Sequence, residues 1–115
     1  VYELSRVANK RHANAIPEHV FVKPPSAELR PNQKDTDSIP PYEVLDPILR
    51  AYVEQFQSPQ QIAESLQVTI ELVRDIINKV DRNEYKRQQA APGLKVTTKA
   101  FGIGRRFPIA QRFYE

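Results

Sequence analysis

Apolar positions along the chain fall into short periodic runs, separated by polar stretches that carry proline. In VYELSRVANKRHA, Tyr2, Leu4, Val7 and Ala8 recur near helical spacing, which predicts an amphipathic helix over 1–12 with a basic outer face. The pattern stops around Asn14-Ala15-Ile16-Pro17, and Pro17 can open a short helical turn, PEHVFV. Further along, Tyr42, Leu45, Leu49, Tyr52, Val53 and Phe56 form one stripe and predict a helix over 42–56. Pro47 interrupts it: either the helix starts near Asp46 with Pro47 in its first turn, or it kinks there.

Two start signals follow. Ser58 with Gln61 three residues on is a capping box, and Pro59 suits the first helical position, so a helix is expected through about Leu66. Thr69 caps a second, with Val68 and Val73 at the spacing of a hydrophobic staple. Leu72, Val73, Ile76, Ile77 and Val80 give that helix an apolar face, and it is expected to run to about Gln88. Beyond Pro92-Gly93 periodicity is lost; LKVTTKAF could be extended, and FGIGRRFPIAQRFYE reads as an aromatic and arginine tail in need of a surface.

The close pair 58–66 and 69–80 has the look of a helix-turn-helix DNA reader. Its outward face tests that idea. Ile70, Glu71, Arg74, Asp75 and Asn78 would meet the duplex, and Glu71 and Asp75 would repel phosphate while Arg74 alone attracts it. A packed helical pair is therefore expected, with a helix-turn-helix-like interaction or DNA-binding module as the alternative.

Residues 23–38, KPPSAELRPNQKDTDS, are too polar for a core, and Pro24, Pro25 and Pro31 exclude helix interior and central strand. This is a long loop, either spacer or working loop. Prolines lower in advance the entropy lost when such a loop orders on a ligand.

Composition sharpens the picture. With 115 residues the chain is one domain at most. Hydrophobic content of 40% supports a modest core, but ten prolines and a mean hydropathy of −0.57 put much of the chain at a surface. Residues 1–85 hold 10 Lys/Arg against 13 Asp/Glu, whereas 86–115 hold 7 against 1. The net charge of +3 is thus a C-terminal property, and an anionic partner would be met there unless the tail is simply solvated. The absence of cysteine excludes disulfides, thiolate nucleophiles and cysteine metal sites. No apolar run approaches the ~20 residues of a membrane span, so a soluble protein without a membrane partner is expected, and the lack of cysteine is compatible with a reducing, cytoplasmic compartment. Methionine is also absent, which suggests either a processed chain or a piece of a longer polypeptide.

The segment KPPSAELRPNQKDTDSIPPYEVLD, followed by NEYKRQQAAPGLKV and then FGIGRRFPI, resembles the C-terminal part of glutamine-dependent NAD synthetase over essentially residues 1–115. Ala91 stands where such sequences often carry proline, which should alter only the stiffness of that turn. The resemblance implies an ATP- and Mg²⁺-dependent ligase. It adenylates the nicotinate carboxylate of deamido-NAD, and ammonia released from glutamine by an N-terminal glutaminase domain then displaces AMP. It also implies a mainly α fragment, the C-terminal portion of a doubly wound α/β adenine-nucleotide-binding domain of the ATP pyrophosphatase type.

Parts of that machinery are missing. Gly93, Gly102 and Gly104 are the only glycines, all in the tail, so no SGG-type phosphate loop is present, and no cysteine can serve a glutaminase. The fragment alone is expected to be inactive, completed by the remainder of the synthetase domain and the glutaminase domain, as a homo-oligomer when full length, with no nucleic-acid partner. Within it the resemblance divides the chain into a helix and short turn (1–22), a nucleotide-covering loop (23–41), a three-helix segment (42–88) and a basic, aromatic tail (89–115). It implies that Lys23, Ser26 and Glu28 belong to the ATP phosphate loop, with Ser26 as the hydroxyl ligand near magnesium. Otherwise Ser26 caps a turn. Asp35 and Asp37 would reach toward deamido-NAD, unless they are merely solvated. Lys86 would contact the dinucleotide, with Tyr85 and Arg87 sharing the role. Failing that, Lys86 and Arg87 complement a helix C-terminal dipole.

Overall fold

A computed structural model describes residues 1–102, 104–105 and 107–110. Among these described residues six α-helices follow in order: α1 Tyr2–Arg11, α2 His19–Val22, α3 Tyr42–Val53, α4 Pro59–Leu66, α5 Ile70–Arg82 and α6 Glu84–Gln89, with a 3₁₀ turn at Asp35–Asp37. Among the described residues there is no strand; one antiparallel bridge joins Gly102 to Arg105. The stretch LKVTTKAF forms neither helix nor strand. No helix among the described residues is long and apolar enough to cross a membrane. The chain separates into two compact units, Val1–Ser38 and Ile39–Glu115, where its length suggests one.

In the first unit α1 buries no residue. Its return is organised by a side chain that imitates backbone. Asn9 Nδ2 donates to the Ile16 carbonyl at 2.9 Å and its Oδ1 accepts from the Ile16 amide at 2.8 Å, while Ala13 and Asn14 turn the chain with φ of 50° and 57°. Tyr2 and Phe21 face each other at 6.3 Å, and the Arg6 guanidinium lies 5.9 Å from the Phe21 ring.

The second unit holds the core. Leu45, Ile48 and Ala51 of α3, Ile62 of α4, and Val73, Ile76 and Ile77 of α5 form one buried cluster, and Ile48, Ile62 and Val73 are fully enclosed. The two caps read from sequence are in place. Ser58 Oγ accepts from the Gln61 amide while Gln61 Oε1 accepts from the Ser58 amide, and Thr69 Oγ1 accepts from the Leu72 amide. Val68 packs against the cluster containing Val73, consistent with a staple. The α4–α5 pair directs its apolar faces inward, and on the outer face of α5 Lys79 is engaged with Asp75 at 2.7 Å.

The start of α3 matches the predicted span, whereas the ends of α3 and α5 differ from the sequence pattern. Helix α3 begins at Tyr42, because the Pro41 carbonyl accepts from the Val44 and Leu45 amides, and it continues through Pro47, which forgoes one intrahelical bond. It ends at Val53, so Phe56 leaves the apolar stripe. Phe56 adopts φ 55°, the Gln57 amide closes back on the Ala51 carbonyl, and the ring is 64% exposed with Lys99 Nζ at 3.9 Å. Helix α5 likewise breaks at Asn83, so residues 42–88 hold four helices. The Asn83 side-chain amide donates at 2.7 Å to the Lys79 carbonyl, the group its own backbone amide would otherwise reach.

The tail finds its surface through Arg105. Its Nη2 donates to Asp81 Oδ1 at 2.7 Å and to Tyr52 Oη at 2.9 Å, and its Nη1 lies 3.9 Å from Glu84 Oε2. The Tyr52 hydroxyl in turn donates to Asp81 Oδ2 at 2.9 Å. Arg87 holds Glu84 from the other side at 2.9 Å and donates to the Val80 carbonyl. Asp81 and Glu84 are buried, 7% and 2% exposed, so each carboxylate sits beside an arginine where water cannot serve it. The rings of Tyr52, Phe101 and Phe107 flank the Arg105 guanidinium at 4.9, 5.8 and 5.1 Å.

Two outcomes follow for the full-length protein. Ile62→Ala should cost ~2–5 kcal/mol in chemical denaturation, since a fully enclosed side chain leaves a cavity its neighbours fill only partly. Burial and then the adjoining Asp81 raise the Tyr52 phenol from 10.0 to about 12. A folded-state value above the unfolded one gives a contribution that is complete below pH 10.0 and lost as pH rises toward about 12. Stability should therefore fall across that window by more in the wild type than in Tyr52→Phe, measured by denaturation at a series of pH values.

Candidate functional site

The segment predicted to work as a loop is ordered by its own hydrogen bonds. The Asp35 amide donates to the Pro25 carbonyl at 2.9 Å across the loop, the Leu29 amide to Gln33 Oε1 at 3.0 Å, and the Gln33 amide to the Arg30 carbonyl at 3.3 Å. Glu28 and Asn32 take left-handed conformations, φ 55° and 57°, and so bend the chain at two points. The result is an open groove of about 600 Å³ whose lining includes Lys23, Ser26, Glu28, Arg30 and Lys34.

Its electrostatics favour an anion. Lys23, Arg30 and Lys34 are cationic, and Glu28, the one carboxylate in the lining, is tied by an ion pair to Lys23. The hydrogen bond from Lys23, followed by its charge, holds the Glu28 carboxyl below its ordinary value of 4.5. Ser26 Oγ accepts from the Glu28 amide at 3.0 Å, so it caps the turn. One acceptor position and the hydroxyl proton remain for another partner.

The structure brings Lys23, Ser26 and Glu28 together in this groove, with Arg30 and Lys34, which residue-by-residue reasoning passed over. Their signal was present in the cation count of KPPSAELRPNQK. Asp35 and Asp37 do not line the groove. They form the 3₁₀ turn beyond it, where Asp37 Oδ2 accepts from the Lys34 amide at 2.9 Å and the Asp35 backbone reaches Pro25.

Tyr85, Lys86 and Arg87 lie in the second unit on α6, and they divide in direction. Tyr85 is 46% exposed and Lys86 is exposed, with Lys86 Nζ 5.9 Å from the Tyr85 ring. Tyr85 also lines a hollow of about 450 Å³ with Asp81, Arg82, Phe107 and Pro108. Arg87 turns inward. Its guanidinium is bound to Glu84 and to the Val80 carbonyl and stacks 4.4 Å from the Phe101 ring. Arg87 and Arg105, part of the basic tail expected to greet an anion, are instead matched to internal carboxylates. Ile103, Arg106 and residues 111–115 of that tail lie outside the described residues.

Comparison with known proteins gives a consistent result. A family model described as NAD synthase matches residues 1–90. The chain is 55% identical over 99% of its length to the glutamine-dependent NAD(+) synthetase of Synechocystis sp., and 50% identical over 100% of its length to that of Thermotoga maritima. It spans about a fifth of the length of either relative. A solved structure of glutamine-dependent NAD+ synthetase from Acinetobacter baumannii in complex with adenosine diphosphate superposes with a TM-score of 0.60 at 45% identity, over 65% of this chain and 14% of that one.

The Lys23–Glu28 pair makes a direct prediction. In Lys23→Ala the Glu28 carboxyl should titrate back toward 4.5, because the donor that stabilised its charged form is gone; an NMR pH titration of the side chain reads this.

Proposed function

The chain belongs to the NAD synthase family, and we propose on that basis that it is the C-terminal part of a ligase that converts deamido-NAD to NAD with ATP and glutamine-derived ammonia. The observation that carries the reading is the cationic groove of residues 23–34, in a chain similar to a solved NAD+ synthetase in complex with adenosine diphosphate. Its helices would be the trailing portion of a doubly wound α/β domain. Residues elsewhere in that domain would hold the rest of the nucleotide, and a glutaminase domain would supply ammonia.

In this reading Lys23, Arg30 and Lys34 attract the triphosphate. Arg30 can grip a phosphate with two parallel N–H groups, whereas the lysines act as point charges. Glu28 keeps Lys23 in place and blunts its charge until phosphate competes for it. Magnesium suits the donor set only in part: Ser26 offers a single hard oxygen and Glu28 is paired, so the remaining ligands would be phosphate and water. When bound, the metal neutralises charge on the triphosphate. Asp35 and Asp37 are proposed to act toward deamido-NAD through the loop shape they brace.

On α6, Lys86 is the proposed contact to the dinucleotide, with Tyr85 beside it. Both present their side chains to solvent, as a ligand-facing pair must. Arg87 serves the pair indirectly, because its guanidinium is engaged with Glu84.

Kinetics of the full-length enzyme test both surfaces. Lys86→Ala should raise KM for deamido-NAD roughly tenfold or more, the scale of one lost charge-assisted hydrogen bond, with KM for ATP little changed. Arg30→Ala combined with Lys34→Ala should do the reverse. Unaltered constants in both variants would remove the assignment.

A further inference from the structure

Helix α6 has six residues, too few to persist without help, since isolated helices below ~12 residues are marginal in water. Its buried anchor is Glu84, which is 2% exposed, and Arg87 adds a hydrogen bond to the Val80 carbonyl of α5. Two arginines face that carboxylate: Arg87 from the same helix and Arg105 from the tail. Arg87 thus touches α5 as well, whereas Arg105 reaches two other helices, binding Asp81 on α5 and Tyr52 on α3. Its Nη1 is buried, has no hydrogen-bond partner among the described residues, and lies 3.9 Å from Glu84 Oε2.

We infer that Arg105 is a positioning residue for the dinucleotide site: its guanidinium spans Asp81 and Glu84 and thereby sets where α6 presents Lys86 and Tyr85. This rests on the proposed substrate contact of Lys86. A planar guanidinium can face two carboxylates at once, with one arm for each, whereas an ammonium offers a single centre. Lysine at 105 would keep the charge beside Asp81 and lose the reach to Glu84. The aromatic flank from Phe101 and Phe107 supports the same planar group. Small displacements suffice to matter, because misplacing a substrate-binding group by about 1 Å can cost on the order of a hundredfold in rate.

The test uses the full-length enzyme and compares Arg105→Lys, Lys86→Ala, the double variant and Ile62→Val, a core change away from the network. Arg105→Lys should raise KM for deamido-NAD at least fivefold with KM for ATP within twofold, and it should speed amide hydrogen exchange in residues 84–89 but not in α3 to α5. The double variant should be no worse than Lys86→Ala alone, the signature of a residue acting through Lys86, while Ile62→Val should leave both KM values unchanged. Unchanged exchange in α6, or additive effects in the double variant, would overturn the inference. If Arg105→Lys does not fold, Glu84→Gln, which removes the charge that Arg105 faces, must give the same pattern or the inference falls. A silent Lys86→Ala with faster α6 exchange in Arg105→Lys would sink the substrate reading of Lys86 and leave Arg105 as the organiser of α6.

Discussion

Two carboxylates that water cannot reach govern the larger unit. Asp81 and Glu84 sit at the end of α5 and the start of α6, and a buried charge left alone costs several kcal/mol. Arg87 lies within one turn of Glu84, but Asp81 depends on Arg105, which is 24 residues away in sequence. The pairing therefore does more than neutralise charge. It fixes where a tail without periodic structure rests, and it joins α3, α5 and α6 through one guanidinium.

The apolar core and this polar cluster divide the work. Ile48, Ile62 and Val73 hold α3, α4 and α5 together without directional demands, so many packings of similar volume would satisfy them. The hydrogen-bonded Tyr52–Asp81–Arg105 network accepts few arrangements, because hydrogen bonds fail outside narrow distances and angles. The exposed residues proposed to meet substrate, Lys86 and Tyr85, belong to the helix held by the directional half. The groove of the first unit works differently. There backbone hydrogen bonds and two left-handed residues shape the loop, and its cations remain at the surface.

What could be read from sequence was whatever is encoded locally. Ser58 with Gln61, and Thr69 ahead of an apolar face, specify helix starts within a few residues, and both caps are formed as expected. Endings were less legible. Phe56 matches the α3 stripe but takes a left-handed conformation that glycine usually marks, and Asn83 stops α5 by a side-chain hydrogen bond that the stripe does not register. Ser26, Lys23 and Glu28 could be grouped because they are neighbours in one loop. Arg105 could not be linked to Asp81, Glu84 and Tyr52, since nothing near it in the chain specifies a partner, and Arg87 looked like a surface cation for the same reason.

The reach of Arg105 also bears on how the protein is made. A ribosome adds ~5–20 residues per second, so on the order of a second or more separates the emergence of Glu84 from that of Arg105. During that interval α3 to α5 can already bury their isoleucines, but Asp81 has no cation beside it. The nascent helices must stay open to water at that corner until translation delivers the guanidinium, and closing the corner becomes the last act of assembly in this unit.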